Sequence, residues 1–530
     1  MKASASIVGV GLVVLSAGLG STRAAHAQLV DKTLAPNAAN EGINKSLEEQ
    51  VGAGRGDLYT EYSSAYVMAR DPFRAIRRGR QIFQRKFTRV QGQGPVTGDG
   101  SGDVHKDLII GAGLADSCAA CHAQPRGSAG AGGDVVTRPD SRNAPHLFGL
   151  GLKEMLADEI TSELRAIRDD AVKDARRRGR TVKRDLSVRH GIGYGTIIAR
   201  PNGSVDTSRV EGVDADLRVR PFFLHGETIS IREFVVGAFN AEMGLESPDP
   251  DLLAASAGGR VVTPTGMVLD GETDRIEAPP VASTGEDADE DGVTNEIPTS
   301  IVDFMEFYLL HYFKAGLGEQ GHDTKRGRST MNKIGCTSCH VPDLTIARDR
   351  RVADVETVFD RKRGIFNRLF STASPLLQEV DDGRGHPTLK LPLGGSFKVR
   401  NIFTDFKRHD LGPSFHEINY DGTVRKEFLT AALWGVGSTL PYGHDGRSMS
   451  LNEVILRHGG EAQKARDRYA RLSSSSRNEV LAFLNSLILF PPDDTASNLN
   501  PGDPSAPGFP QFGHGSIALT VLFNDPTDVE

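Results

Sequence analysis

The stretch ADSCAACHAQ, residues 115–124, and its counterpart KIGCTSCHVPD, residues 333–343, hold all four cysteines of a 530-residue chain. Each is a C-x-x-C pair with a histidine directly after it: Cys118, Cys121 and His122 in the first, Cys336, Cys339 and His340 in the second. That spacing is the attachment site of c-type haem, because both sulfurs must reach one edge of a rigid porphyrin. The adjacent histidine then turns beneath the iron as its axial ligand. A redox dithiol or half of a zinc site also uses C-x-x-C, and two pairs could together hold one zinc. Neither needs a histidine after both pairs. The spacing predicts two covalently bound haem c groups, with His122 and His340 on iron.

The motifs lie 218 residues apart (Cys118 to Cys336), which suggests one cofactor per domain. DPFRAIRRGRQIFQRKF (71–87) brings Phe73, Ile76, Ile82, Phe83 and Phe87 near one helix face. PTSIVDFMEFYLLHYF (298–313) opens on proline and reads as a buried helix leading towards the second motif. SSSSRNEVLAFLNSLILF (473–490) carries serine caps before an apolar stripe and stops at PPDD. GYGTIIARPNGSVDTSRV (193–210) alternates around Pro-Asn-Gly and predicts a β-hairpin, whereas 246–300 is expected to loop over the surface. The fold class expected is mainly α: two cytochrome c-type domains with long loops and a small β-hairpin insertion.

Lys2, an apolar run from Ile7 to Leu19, and small residues at Ala25 and Ala27 follow the order of a secretory signal. An uncleaved anchor is the alternative. The expected division is a signal peptide over 1–27, an N-terminal haem domain over 28–320, a C-terminal haem domain over 321–490 and a tail over 491–530. Covalent haem is assembled outside the cytoplasm, so a periplasmic location is expected. With 38% hydrophobic and 25% charged residues the composition is that of an ordinary globular chain. The net charge of −7 gives no reason to expect nucleic-acid binding, and no later segment predicts a membrane span. The basic run KDARRRGRTVKR (173–184) reads as a solvated face, or as a docking patch for an acidic electron donor.

EFLTAALWGVGSTLPYGHDGRSMSLNEVILRHGGEA (427–462) resembles the C-terminal domain of the bacterial di-haem cytochrome c peroxidase superfamily. SCAACH, PHLFGLGL, TDFKRHDLG, LWG, PYGHDGR and HGGEA resemble the di-haem oxidoreductase family of peroxidases or "thiol oxidoreductases", over roughly residues 70–495. The resemblance implies that His458 is the sixth ligand of the second haem; the alternatives are that it only caps its helix, or that His444 is the ligand. It implies further that RPFFLHGETISIREFVVGAFNAEMGL (220–245) covers the first haem. Glu242 would then be the acid/base that moves a proton between peroxide oxygens, or else a surface carboxylate at a helix end. Phe234 stands where relatives have glutamine, which suits O₂ or an apolar substrate, as in the related rubber oxygenases. Leu224 replaces their inter-haem tryptophan, and Trp434 is either an electron relay or a core aromatic against the porphyrin. His225 could close off the first iron.

DADEDGVTNEIP (287–298) begins like a calcium loop, with Asp287, Asp289, Asp291, Gly292 and Asn295 in place, but Pro298 stands where glutamate belongs. A Ca²⁺ site using Glu296 and an acidic turn without an ion are both open. The expected partners are a small oxidant (H₂O₂ or O₂) and a periplasmic electron donor or acceptor such as a small cytochrome or cupredoxin. Three activities compete: a peroxidase-like di-haem oxidoreductase, an electron-transfer cytochrome, and an oxygenase for a hydrophobic substrate.

Overall fold

The computed structural model of the protein describes residues 46–94, 115–122, 143–311, 315–352, 356–359, 369–371, 377–392, 394–419 and 422–489. The expected signal peptide and the tail after residue 490 lie outside the described residues. The helices that position the site are α1 (Pro72–Gln84), α2 (Cys118–His122), α3 (Leu150–Arg178), α4 (Ile231–Met243), α5 (Thr299–His311), α6 (His322–Ile334), α7 (Leu451–Arg457) and α8 (Ser474–Asn485).

Two helix crossings organise the chain, one near each cysteine motif. α1 starts where the Asp71 side chain accepts the Arg74 amide and Pro72 fills the first turn, where its missing N–H costs nothing. It ends at Gln84, earlier than the apolar pattern suggests. Phe87 lies beyond that end yet is buried, because its amide donates to the Asp116 carbonyl at 2.8 Å and ties the segment to the first motif. α5 is buried from Ser300 to His311, as an all-round apolar helix must be. The crossing of α1 with α5 is so close that a Cβ on Gly79 would sit 2.3 Å from the Phe304 carbonyl oxygen. α6 and α8 repeat the arrangement before the second motif, where a Cβ on Gly327 would sit 1.9 Å from the Glu479 carbonyl oxygen. α8 is capped by Ser473 and stops at Asn485, not at PPDD, because Leu487–Leu489 leaves as a strand paired with Ala315–Leu317.

The expected hairpin forms, as strands β2 (Gly193–Ala199) and β3 (Val205–Val210), but a preceding strand, β1 (Val182–Ser187), extends it to a three-stranded antiparallel sheet. Leu164, Ala171 and Ala175 of α3 pack on Leu186, Tyr194 and Ile197 of this sheet. The basic run falls at the solvated end of α3 and the start of β1, where Arg177, Arg178 and Arg184 all pair with Asp174. Several further short strand pairs surround the second motif, more β-structure than the single hairpin expected.

Residues 246–300 are not a simple surface loop. They carry a short helix (Pro250–Ser256) and a strand pair (Arg260–Val262 with Val268–Asp270), and they bury Met267, Leu269, Ile276 and Ile297 in the core beside α4 and α5. A buried ion network fastens them. The fully buried Arg232 guanidinium reaches Asp249, Asp303 and Glu306 at 2.5, 2.9 and 2.8 Å, and Arg55 spans Asp251 and Asp303. Buried carboxylates are tolerable when cations and hydrogen bonds meet them this closely. No helix among the described residues is long and apolar enough to cross a membrane.

Candidate functional site

A continuous cavity of about 760 Å³ reaches both motifs; Cys118, Cys121 and His122 line it, and so do Cys336, Cys339 and His340. The four thiols are free of disulfide bonds. Burial pushes the Cys118 thiol up to about 12 and the Cys336 thiol up to about 11, so both stay protonated and neither resembles the activated thiolate of a redox dithiol. The shared-zinc alternative also fails. Among the described residues the only thiol-bearing cluster with metal-ligand spacing is Cys339, Asp405 and His409. His409 places Nε2 2.9 Å from Asp405 and Nδ1 2.7 Å from Glu461. Carboxylates only accept, so both ring nitrogens carry protons and no lone pair remains for zinc. Against the cost of burial, those partners raise its pKa to about 11.

The two motif histidines are oriented alike. His122 places Nδ1 2.7 Å from the Pro145 carbonyl, and His340 places Nδ1 3.0 Å from the Phe403 carbonyl. A carbonyl can only accept, so Nδ1 carries a proton in both rings. This is the second contact that fixes a metal-ligating imidazole. Burial lowers the His340 pKa to about 4, with a smaller push from nearby His458. His458 follows α7, donates Nδ1–H to the Val454 carbonyl at 2.7 Å and is also held neutral by burial. It therefore caps its helix and still presents Nε2; the two readings are compatible. His444 lines the cavity as well, stacked on Phe428 with ring centroids 4.0 Å apart.

Near the first motif the walls differ. Phe234, Ala238 and Glu242 follow at intervals of four along α4 and all line the cavity. Ser230 and Glu233 cap that helix reciprocally, and the Glu242 carbonyl accepts from Ala115, tying the helix end to the motif. Phe223 and Phe222 lie against Phe234, with centroids 5.4 and 6.1 Å away. Leu224 also lines the cavity. His225 is not among the residues that line this cavity; its Nε2 meets Glu227 at 2.8 Å. Trp434 is buried in the wall against Gly149.

Two residues here escaped the motif search. Lys153, on α3, faces the cavity, and burial lowers its pKa to about 8. His146 lies beside Lys153 and His122; burial, then the two neighbouring charges, lowers its pKa to about 3. The available signal was a lysine inside the apolar run HLFGLGLKEML, with the histidine at its head.

Thiols, prepared imidazoles and a largely apolar cavity are a donor set that fits two covalently attached haems. Residues 395–487 match the family described as "Di-haem oxidoreductase, putative peroxidase". The match covers 93 of the 530 residues, so it is a likeness of that segment to the family. Among solved structures it is similar to Kuenenia stuttgartiensis hydrazine synthase (pressurised with 20 bar xenon), at 16% identity and a TM-score of 0.21, over 36% of this chain and 55% of that one. The chain thus spans about half the length of that relative. No curated protein matches. The di-haem family match falls on the segment that holds Trp434, His444 and His458.

Proposed function

We propose that the protein is a periplasmic, peroxidase-like di-haem c-type oxidoreductase, with cytochrome c-type domains over 28–320 and 321–490 and a signal peptide over 1–27. One observation carries this reading: both motif histidines line one shared cavity with Nδ1 held by a backbone carbonyl, and beside His340 a second imidazole, His458, is prepared in the same way. When bound, haem supplies iron-centred one-electron chemistry, with an open axial position for reaction or a filled one for electron transfer.

His340 and His458 would hold the second iron from both sides, making that centre the electron store and relay. His122 would hold the first, the reactive one. Phe222, Phe223 and Phe234 exclude water there. The Glu242 carboxylate takes a proton from one peroxide oxygen and returns it to the other, a transfer worth about 10²–10⁴ in rate. Lys153, a buried ammonium facing the cavity, is suited to pair with a carboxylate of the first haem. Trp434 would line the path between the centres. A small periplasmic cytochrome or cupredoxin would exchange the electrons.

The phenylalanine wall favours a second reading, an oxygenase that uses O₂ on an apolar substrate. EPR of the resting, fully haem-loaded protein separates these. A high-spin ferric signal that changes on adding peroxide, beside an unchanged low-spin one, is the expected result. Two low-spin signals indifferent to peroxide would leave an electron-transfer cytochrome. Product formed without added peroxide would favour the oxygenase.

A further inference from the structure

The acidic loop after α4 meets a partner that the sequence pattern does not reveal. One carboxylate oxygen from each of Glu246, Asp289 and Glu296 lie within 4.8 Å of one another, and Asp287 and Asp291 cluster with Asp289 in the same way. Glu246 and Glu296 are 4% and 2% exposed. Several other buried carboxylates are met by arginine, as Asp303 is by Arg55 and Arg232 and Glu154 is by Arg351. Among the described residues none of these five has an ion pair. The loop backbone instead wraps around them: Asp291 and Gly292 donate to Asp287, Ala288 donates to Glu246, and Glu246 donates to Glu296 Oε2 at 2.6 Å. The other Glu296 oxygen, Oε1, is buried with no hydrogen-bond partner. Burying an unpaired carboxylate oxygen among four other acids is costly unless a cation completes the group.

We propose that Glu246, Asp289 and Glu296, with Asp287 and Asp291 beside them, form a structural Ca²⁺ site that fastens the end of α4 to the 287–296 loop. The donors are all hard oxygens, and oxygens 2.3–2.6 Å from one Ca²⁺ lie at most about 5 Å apart, as these do. Many carboxylates on a loop suit Ca²⁺, whereas Mg²⁺ demands tight octahedral geometry and retains its waters. Glu246 follows the end of α4, Met243, at Gly244 in the left-handed conformation, so the ion would hold the chain just beyond Glu242. The inference is independent of the redox chemistry.

The test uses the full, haem-loaded chain stripped with EGTA and dialysed against Ca²⁺ or Mg²⁺, with bound metal counted by mass spectrometry. One Ca²⁺ per chain, held at or below roughly 10⁻³ M, and a higher unfolding temperature with Ca²⁺ than with EGTA are expected. Asp289→Asn/Glu296→Gln should weaken Ca²⁺ binding roughly tenfold or more, since affinity follows ligand charge. In EGTA at about pH 9, where both carboxyls are ionised, the same variant should unfold at a higher temperature than the wild type, because two repelling charges are gone. Should the variant not fold, the wild-type count and temperature shift decide alone. No Ca²⁺ uptake, equal uptake of Mg²⁺, or undiminished binding by a folded variant would overturn the site.

Discussion

His122 and His340 are held alike, by Nδ1 contacts of 2.7 and 3.0 Å to backbone carbonyls, and each follows a thiol pair opening into the same cavity. The surroundings are where they part. His340 feels His458, neutral and with Nε2 unengaged, whereas α4 contributes Phe234 and Glu242 to the first site's wall. A duplicated frame thus carries two different surroundings. The helix crossings at Gly79 and Gly327 are the shared part, and what faces each motif histidine is the varied part. On the proposed reading the frame sets how a haem is attached and the surroundings set what it does.

The comparison breaks most sharply if the thiols are removed. Cys118→Ser/Cys121→Ser and Cys336→Ser/Cys339→Ser should each reduce covalent haem from two per chain to one, read by mass spectrometry. Retention of both in either variant would end the haem c reading of that motif. Glu242→Gln should lower peroxide turnover by roughly 10²–10⁴ with both haems still bound, as loss of a proton-transfer group does. Equal turnover would remove Glu242 from the reaction. His458→Ala should open the second iron and raise carbon monoxide uptake from one to two per chain. An unchanged low-spin spectrum would point to His444 or another ligand.

The smallest effect is in pH. Burial, then neighbouring carboxylates, raises Asp289 to about 7 and Glu296 to about 8 in the metal-free protein. Between pH 6.5 and 8 the folded state keeps protons that the unfolded chain has released, so stability in EGTA should fall as pH rises. Glu154, raised to about 8, and Glu233, raised to about 7, push the same way but are not ligands of the proposed ion. The buried histidines, lowered to about 3 or 4, act below this window. The difference between EGTA and Ca²⁺ curves of unfolding temperature against pH therefore isolates the cluster. Parallel curves would count against Ca²⁺ there.

Much of the frame was legible in the chain. The two C-x-x-C-H motifs, the apolar helix at 299–311 and the hairpin around Asn202-Gly203 are local patterns, set by spacing and by turn chemistry. Residues 246–300 were misread because Gly, Pro and Asp dominate their composition, while the few apolar residues that pin them, such as Leu269 and Ile297, are too far apart to show a period. Lys153 was missed because a single charge in an apolar run carries no motif.

Sequence alone determined that one C-x-x-C-H motif recurs twice, since four thiols and two histidines at fixed spacing are a local property. Tertiary structure decided how each motif imidazole is oriented, because the carbonyls that hold Nδ1 come from 23 and 63 residues away. It also brought His458 beside His340, and Glu246 to Asp289 and Glu296. A lone pair, a proton or a repelled charge depends on its neighbours in space, and those are chosen by folding.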